Sequence, residues 1–214
     1  MDNFIEEVDE ELKRERYQEL WRKYGRLVVG AALLVLIVVA GSVGWRQYQA
    51  NQRIEAGLRY VSAIELVTAG KTQEALAAFK ALGREGAAGY SDLARFQEAA
   101  VLARQGNEAA AAEVYDALAK DDGVDPLFRN LALLLYALNA ADRADPKALA
   151  ERVKPLTEAG NPWRFSALEI TALLHRRRGD VAAAKAIYQK LADDETAPPK
   201  LRVRAAEYLA VLGT

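Results

Sequence analysis

Residues 106–118 read GNEAAAAEVYDAL, and two other stretches share their frame: GKTQEALAAFKAL at 70–82 and GDVAAAKAIYQKL at 179–191. Counted from the glycine (Gly70, Gly106, Gly179), an alanine stands five residues on (Ala75, Ala111, Ala184). An aromatic stands nine residues on (Phe79, Tyr115, Tyr188) and a leucine twelve (Leu82, Leu118, Leu191). Alanine, aromatic and leucine are thus four and three apart, which puts them on one face of a helix. The glycine suits the left-handed end of the preceding helix. The alanine lets the next helix approach closely, and the aromatic fills the space between neighbouring pairs. Glycine separations of 36 and 73 residues leave room for one degenerate copy near Arg143, where Ala148 keeps the small position, Arg152 replaces the aromatic and no glycine marks the turn. A frame repeating at this period marks stacked helix pairs.

Outward from the repeats, Arg46 to Ala69 holds no proline and one internal glycine, Gly57, while Ile54, Leu58, Val61 and Ile64 keep helical spacing. The first repeat helix should therefore continue from the segment before it without a flexible linker. Four helix pairs are expected over about residues 51 to 195. Pro198-Pro199 then introduces LRVRAAEYLAVL, a final helix that caps the open end of the stack. Alanine and leucine dominate and there are six prolines, so the fold class is all-α.

Ahead of the repeats, Leu27 to Trp45 (LVVGAALLVLIVVAGSVGW) carries no charge over nineteen positions, with Arg26 and Arg46 closing it. As a helix it spans roughly 29 Å, near the hydrocarbon thickness of a bilayer. Trp21 and Tyr24 precede it, and Trp45 and Tyr48 end it, in the manner of interfacial aromatic belts. The sequence predicts a single transmembrane helix at 27–48, a charged helical tail at 1–26 and a repeat domain at 49–214. Lys13, Arg14, Arg16, Arg22, Lys23 and Arg26 crowd the tail, against Arg46, Arg53 and Arg59 on the far flank. The positive-inside rule then makes the tail cytoplasmic and puts the repeat domain across the membrane. A cleaved signal peptide ending near Val38-Val39-Ala40 is the rival, but the apolar run is too long and the leading region too acidic for one. In the tail, Asp9 with Lys13, Glu10 with Arg14 and Glu19 with Lys23 are spaced as helical ion pairs. Ala40 and Gly44 share a face of the span, a small-xxx-small pattern that admits a neighbouring helix.

Net charge is −1, so no basic field points to nucleic acid, and cysteine is absent, which removes thiolate catalysis and disulfides. His175 is the one histidine, and its place in ALLHRRRG fits a helix end better than a metal site. No phosphate-cradling loop or nucleophile elbow is present, so no enzyme, cofactor, metal or small-molecule substrate is expected. Asp121-Asp122 and Asp193-Asp194 fall at equivalent repeat positions and read as turn residues. Arg176-Arg177-Arg178 reads as a solvated helix cap or a contact for an acidic partner.

The three phased copies resemble the tetratricopeptide repeat, with Ala63, Ala99 and Ala172 where that motif usually has glycine. Trp21, Tyr24-Gly25, Gly44-Trp45 and the run YSDLARFQEA from Tyr90 further resemble the YfgM-like ancillary subunits of the bacterial Sec translocon, of tetratricopeptide-21 type. That resemblance implies a single-pass inner-membrane protein with a periplasmic repeat domain. Its partners would be the Sec translocon (SecYEG) and a periplasmic chaperone or prolyl isomerase, in protein export. The alternatives are a scaffold for outer-membrane or cell-wall assembly, or a lipid-facing or enzyme-regulating accessory. Carrying over the repeat's inward positions marks a partner groove at Tyr60 and Ile64, Phe96 and Ala100, Leu133 and Ala137, and Glu169 and Leu173. The groove is apolar and lacks the lysines and asparagines of a carboxylate clamp, which suits apolar segments or a partner helix.

Overall fold

The computed structural model of the chain describes residues 2–85 and 89–213, except the side chains of 2–20, 28, 31 and 32. The described elements are α1 (Asp2–Thr68), α2 (Thr72–Arg84), α3 (Tyr90–Arg104), α4 (Glu108–Ala119), α5 (Pro126–Ala140) and α6 (Pro146–Val153). A short 3-10 turn (Lys154–Thr157) follows, then α7 (Arg164–Arg177), α8 (Val181–Asp193) and α9 (Pro199–Gly213). The chain divides into two compact units, Met1–Ile54 and Glu55–Thr214, with the boundary inside α1.

In the first unit, Leu33 to Val39 are all exposed, Ile37 by 72%. Seven consecutive helical residues point in every direction, so no single face of this stretch is an apolar stripe. Ala40 and Gly44 are exposed too, and a Cβ added at Gly44 would meet nothing within 4 Å. Among the described residues no helix is long and apolar enough to cross a membrane. The span expected at 27–48 runs through residues 28, 31 and 32, which lie outside the described side chains, as do the ion pairs expected in the tail.

The second unit is a stack of helix pairs: the end of α1 with α2, α3 with α4, α5 with α6, and α7 with α8, followed by α9. The repeat frame forms its core. Ala75, Ala111 and Ala184 are completely buried, and so, within a few per cent, are Phe79, Tyr115 and Tyr188 with Leu82, Leu118 and Leu191. Each buried large apolar side chain contributes roughly 1.5–3 kcal/mol. Ala63, Ala99 and Ala172 are buried as well, where a larger side chain would push the paired helices apart.

The turns before α2, α4 and α8 share one geometry. At Gly106, φ is +77°, the Gly106 N–H donates to the Ala103 carbonyl (2.9 Å) and the Asn107 N–H reaches back to that of Leu102 (3.0 Å). Lys71 and Asp180 make the same five-residue return, to Leu66 and His175. A Cβ at Gly106 would meet nothing within 4 Å, so the left-handed backbone, and not crowding, calls for glycine. Asn107 and Asp180 then cap α4 and α8, accepting from the amides of Ala110 and Ala183.

The third pair is phased differently from the sequence expectation. Ala148 is exposed, and the buried face of α6 is Leu149 and Val153, continued by Leu156. These three keep the four-and-three spacing of Ala75, Phe79 and Leu82, one residue later than Ala148 and Arg152 would place it. Ala137, fully buried, takes the position of Ala63, Ala99 and Ala172 in the same shifted phase. Arg152 lies over the Tyr136 ring (4.4 Å to the centroid) and pairs with Asp116 (2.7 Å). The irregularity has a local cause. Asp145 caps α6 from the amides of Lys147 and Ala148, replacing the glycine turn. Pro155 lacks the amide hydrogen an α-helix needs, so the chain tightens into the 3-10 turn, which still keeps Leu156 in the core.

Candidate functional site

A cleft of about 410 Å³ opens along the first helices of the last two pairs and α9. From α5 it takes Leu131, Leu134, Leu135 and Leu138, and from α7 Ser166, Glu169, Ile170 and Leu173. Both sets follow the i, i+3, i+4, i+7 rule, so each helix turns one whole face to the cleft. Trp163 lines it from the start of α7, Tyr188 from α8, and Arg204 and Tyr208 from α9. Most of the wall is hydrocarbon, and Leu138 is 52% exposed.

Two contacts fix its frame. The Trp163 indole N–H donates to the Leu127 carbonyl (3.1 Å), tying the start of α7 to that of α5. Asp125 and Pro126 set the start of α5, Asp125 accepting from the Leu127 amide (2.8 Å). At the other end Arg204 holds Glu169 through two hydrogen bonds, one from Nη2 to Oε2 at 2.6 Å and a second from Nε to Oε1. The Tyr188 ring stacks on Tyr208 (5.0 Å between centroids), and Arg176 lies over the other aromatic of that stack, Tyr208, at 5.4 Å. The cleft is therefore apolar along α5 and polar where α7 meets α9.

Burial pushes the Tyr188 phenol up to about 12, with the charge of Arg176 opposing and Tyr208 and Glu169 adding to the rise. The phenol therefore keeps its proton at any working pH. Its oxygen is buried and has no hydrogen-bond partner among the described residues.

Of the residues the sequence marked for the groove, Leu173 and Glu169 line the cleft. Leu133 packs half-buried against the core of the third and fourth pairs, and Ala137 is fully buried in it. The shifted phase explains this, because Leu134 and Leu138 stand where Leu133 and Ala137 were placed. Tyr60 and Ile64 pack against the core of the first pair, Tyr60 lying 5.9 Å from Phe79 and 5.8 Å from Tyr90 between centroids. Phe96 sits between Tyr115 (6.0 Å) and Phe128 (6.2 Å), and Ala100 is half-buried. Sequence reasoning missed Leu134, Leu138, Trp163 and the α9 pair Arg204 and Tyr208. Ala137 carried the missing signal, since it is the small residue that phases the third pair.

The other marked residues hold local structure. His175 Nδ1 lies 3.1 Å from Asp180, and Arg178 pairs with the same carboxylate (2.8 Å). Those contacts and the Ala183 amide, Arg178 foremost, pull Asp180 down to about 2. Arg177 donates to the Asp142 carbonyl (2.8 Å), so the arginine run closes turns and stacks on a ring. Asp121 accepts from Arg95 and the Gly123 amide, and Asp194 from Thr196. Among the described residues no group of His, Asp and Glu is arranged to hold a metal ion.

The family model of the tetratricopeptide repeat-like domain matches residues 18–202. The chain belongs to that family. No curated protein and no solved structure matches it. Tetratricopeptide repeat-like domains generally mediate protein–protein interactions and serve as scaffolds that carry out no catalysis themselves.

Proposed function

We propose that this chain is a membrane-anchored interaction protein whose α5–α7–α9 cleft receives apolar segments of partner proteins, working beside protein export. The carrying observation is the cleft itself: the first helices of two repeat pairs together with α9, lined mainly by apolar and aromatic side chains and left open. Repeat stacks bind along the side made by such helices, and an open apolar surface there gains free energy when covered.

The anchor is part of the same proposal. The full uncharged run from Leu27 to Trp45, with Leu33 to Val39 exposed, supports burial of this stretch in hydrocarbon. The arginines and lysines before it favour a cytoplasmic tail and a repeat domain on the far side of a bacterial inner membrane. The resemblance to the ancillary Sec translocon subunits supplies the translocon and a periplasmic chaperone or prolyl isomerase as partners.

The test has two arms. Alkaline phosphatase fused after Thr214 should be active in a bacterial host, and an inactive fusion would refute the topology. Purification of the intact protein in mild detergent, with mass spectrometry, should recover translocon subunits. A Leu138→Trp variant should recover fewer partners, and equal recovery would move the binding surface elsewhere.

A further inference from the structure

The repeat stack is covered at one end and open at the other. At its C-terminal end α9 lies on α8, packing Leu201 and Ala205 into the core of the last pair. At its start, α1 buries Ala56 and Ala63 in the core of the first pair. Ile54, Leu58 and Val61 each stand two residues from one of those alanines, about 200° round the helix. They are exposed by 63%, 66% and 54%. The terminal element of a repeat stack ordinarily turns a polar face outward. Here the outward face is apolar.

That face also has the spacing of a coiled-coil seam. Ile54, Leu58 and Val61 are four and three apart, and the same alternation runs back through Asn51, Gln47, Gly44 and Ala40. A strict 3.5-residue repeat keeps one line of side chains against a partner helix along the whole seam. In this frame Asn51 and Leu58 take a positions, and Gln47, Ile54 and Val61 take d positions.

We propose that α1 pairs with α1 of a second copy of this chain, in a parallel two-stranded coiled coil along the seam from Ala40 to Val61. A second copy follows from the polar layer in the middle of the seam. Gln47 donates to the Asn51 side-chain oxygen (3.0 Å), so Asn51 still has its amino group to give. The same carboxamide on a second copy, at the same level, supplies the acceptor. An asparagine at an a position fixes register and strand number in such pairs. The flanks agree: between residues 48 and 64 the one charged e or g residue is Glu55, which in a parallel pair meets Ala50 of the other copy. Lipid is the wrong cover for Ile54. It stands nine residues past Trp45, about 13 Å along the helix, beyond a headgroup layer of about 5–8 Å. The parallel direction rests on the anchor reading, since one membrane holds both copies the same way and raises their effective concentration.

The chain has no cysteine, so single substitutions report the seam without background. Ile54→Cys lies on the seam, and Gln52→Cys is an equally exposed site off it. Each full-length variant is oxidised with copper phenanthroline in bacterial membranes and run on a non-reducing gel. A disulfide needs Cα atoms within about 7 Å, which places Ile54 in reach of its copy and Gln52 out of reach. The expected result is a band at the mass of two chains for Ile54→Cys, about tenfold stronger than for Gln52→Cys. Adding Leu58→Glu to Ile54→Cys should remove most of that band, with the melting temperature in mild detergent level because Leu58 is exposed. Equal bands at the two sites, a band that survives Leu58→Glu, or a product containing a different protein would overturn the proposal. The contrast between Ile54 and Gln52 decides even where Leu58→Glu fails to fold. An alkaline wash of the membranes separates the two readings. A chain retained without the Ile54 band keeps its anchor and loses the dimer. A chain that washes off has no anchor, and its Ile54 band still decides the pairing.

Discussion

The two halves of the repeat stack use the same helix positions to opposite ends. In the first half, Tyr60 and Phe96 stand ten residues before the turn glycines and reach rings on the next first helix, Tyr90 and Phe128. Those rings fill the space between successive first helices. In the second half, the equivalent positions hold Leu134 and Glu169, beside Trp163 and Arg204. A leucine and an ion pair fill less of that space, and the cleft opens between them. One architecture is thus closed by aromatic packing at one end and left open by smaller or charged residues at the other.

The largest expected effect tests which end is core. Phe96→Ser removes a ring wedged between Tyr115 and Phe128 and leaves a hydroxyl behind, and should cost about 2–4 kcal/mol by urea unfolding. Leu138→Ser, on the exposed wall of the open half, should change stability by no more than about 0.5 kcal/mol while weakening partner recovery. If both variants unfold alike, the halves do not differ in the way described.

The next effect concerns phase within the pairs. Ala111 is completely buried, whereas Ala148, in the position the sequence offered as its counterpart, is exposed. Ala111→Leu should overpack the second pair and cost about 1–3 kcal/mol. Ala148→Leu should stay within about 0.5 kcal/mol. Equal losses would restore the unshifted phase in α6.

Much of this was legible in the chain because three turns share one backbone solution. A left-handed glycine leaves a visible letter, and the alanine, aromatic and leucine that follow must pack at fixed helical spacing. The third pair hid because it solves the same problem with other chemistry: a capped Asp145-Pro146 start, and Pro155 closing a helix too short to show its period. Ala137 was the surviving mark, but a lone alanine in an alanine-rich sequence says little. The cleft was less legible still. It depends on α9 supplying Arg204 and Tyr208, and no rule of the repeat phases a terminal helix. The Tyr188 hydroxyl could not be told from that of Tyr115 in the sequence. Only the packing around it distinguishes them.

The smallest effect lies at the turns, where the halves differ by one atom type. Asn107 caps α4 and does not titrate in this range; Asp180 caps α8 and does. Arg178 first, then the Ala183 amide and His175, hold the Asp180 carboxyl down to about 2 from its ordinary 3.8. A carboxyl with a lowered native pKa adds stability that is complete above its unfolded value and fades as pH falls through the native one. Asp180 therefore supports the fold above about pH 4 and loses that contribution toward pH 2, because the unfolded chain takes up its proton first. Asp180→Asn keeps an acceptor for the Ala183 amide and removes the titration. Melting temperatures of the parent and variant, compared between pH 4 and pH 2, should converge as the acid strips the parent of its advantage. A constant gap across that window would mean that the Asp180 carboxylate adds only a cap, the same service Asn107 gives the other half.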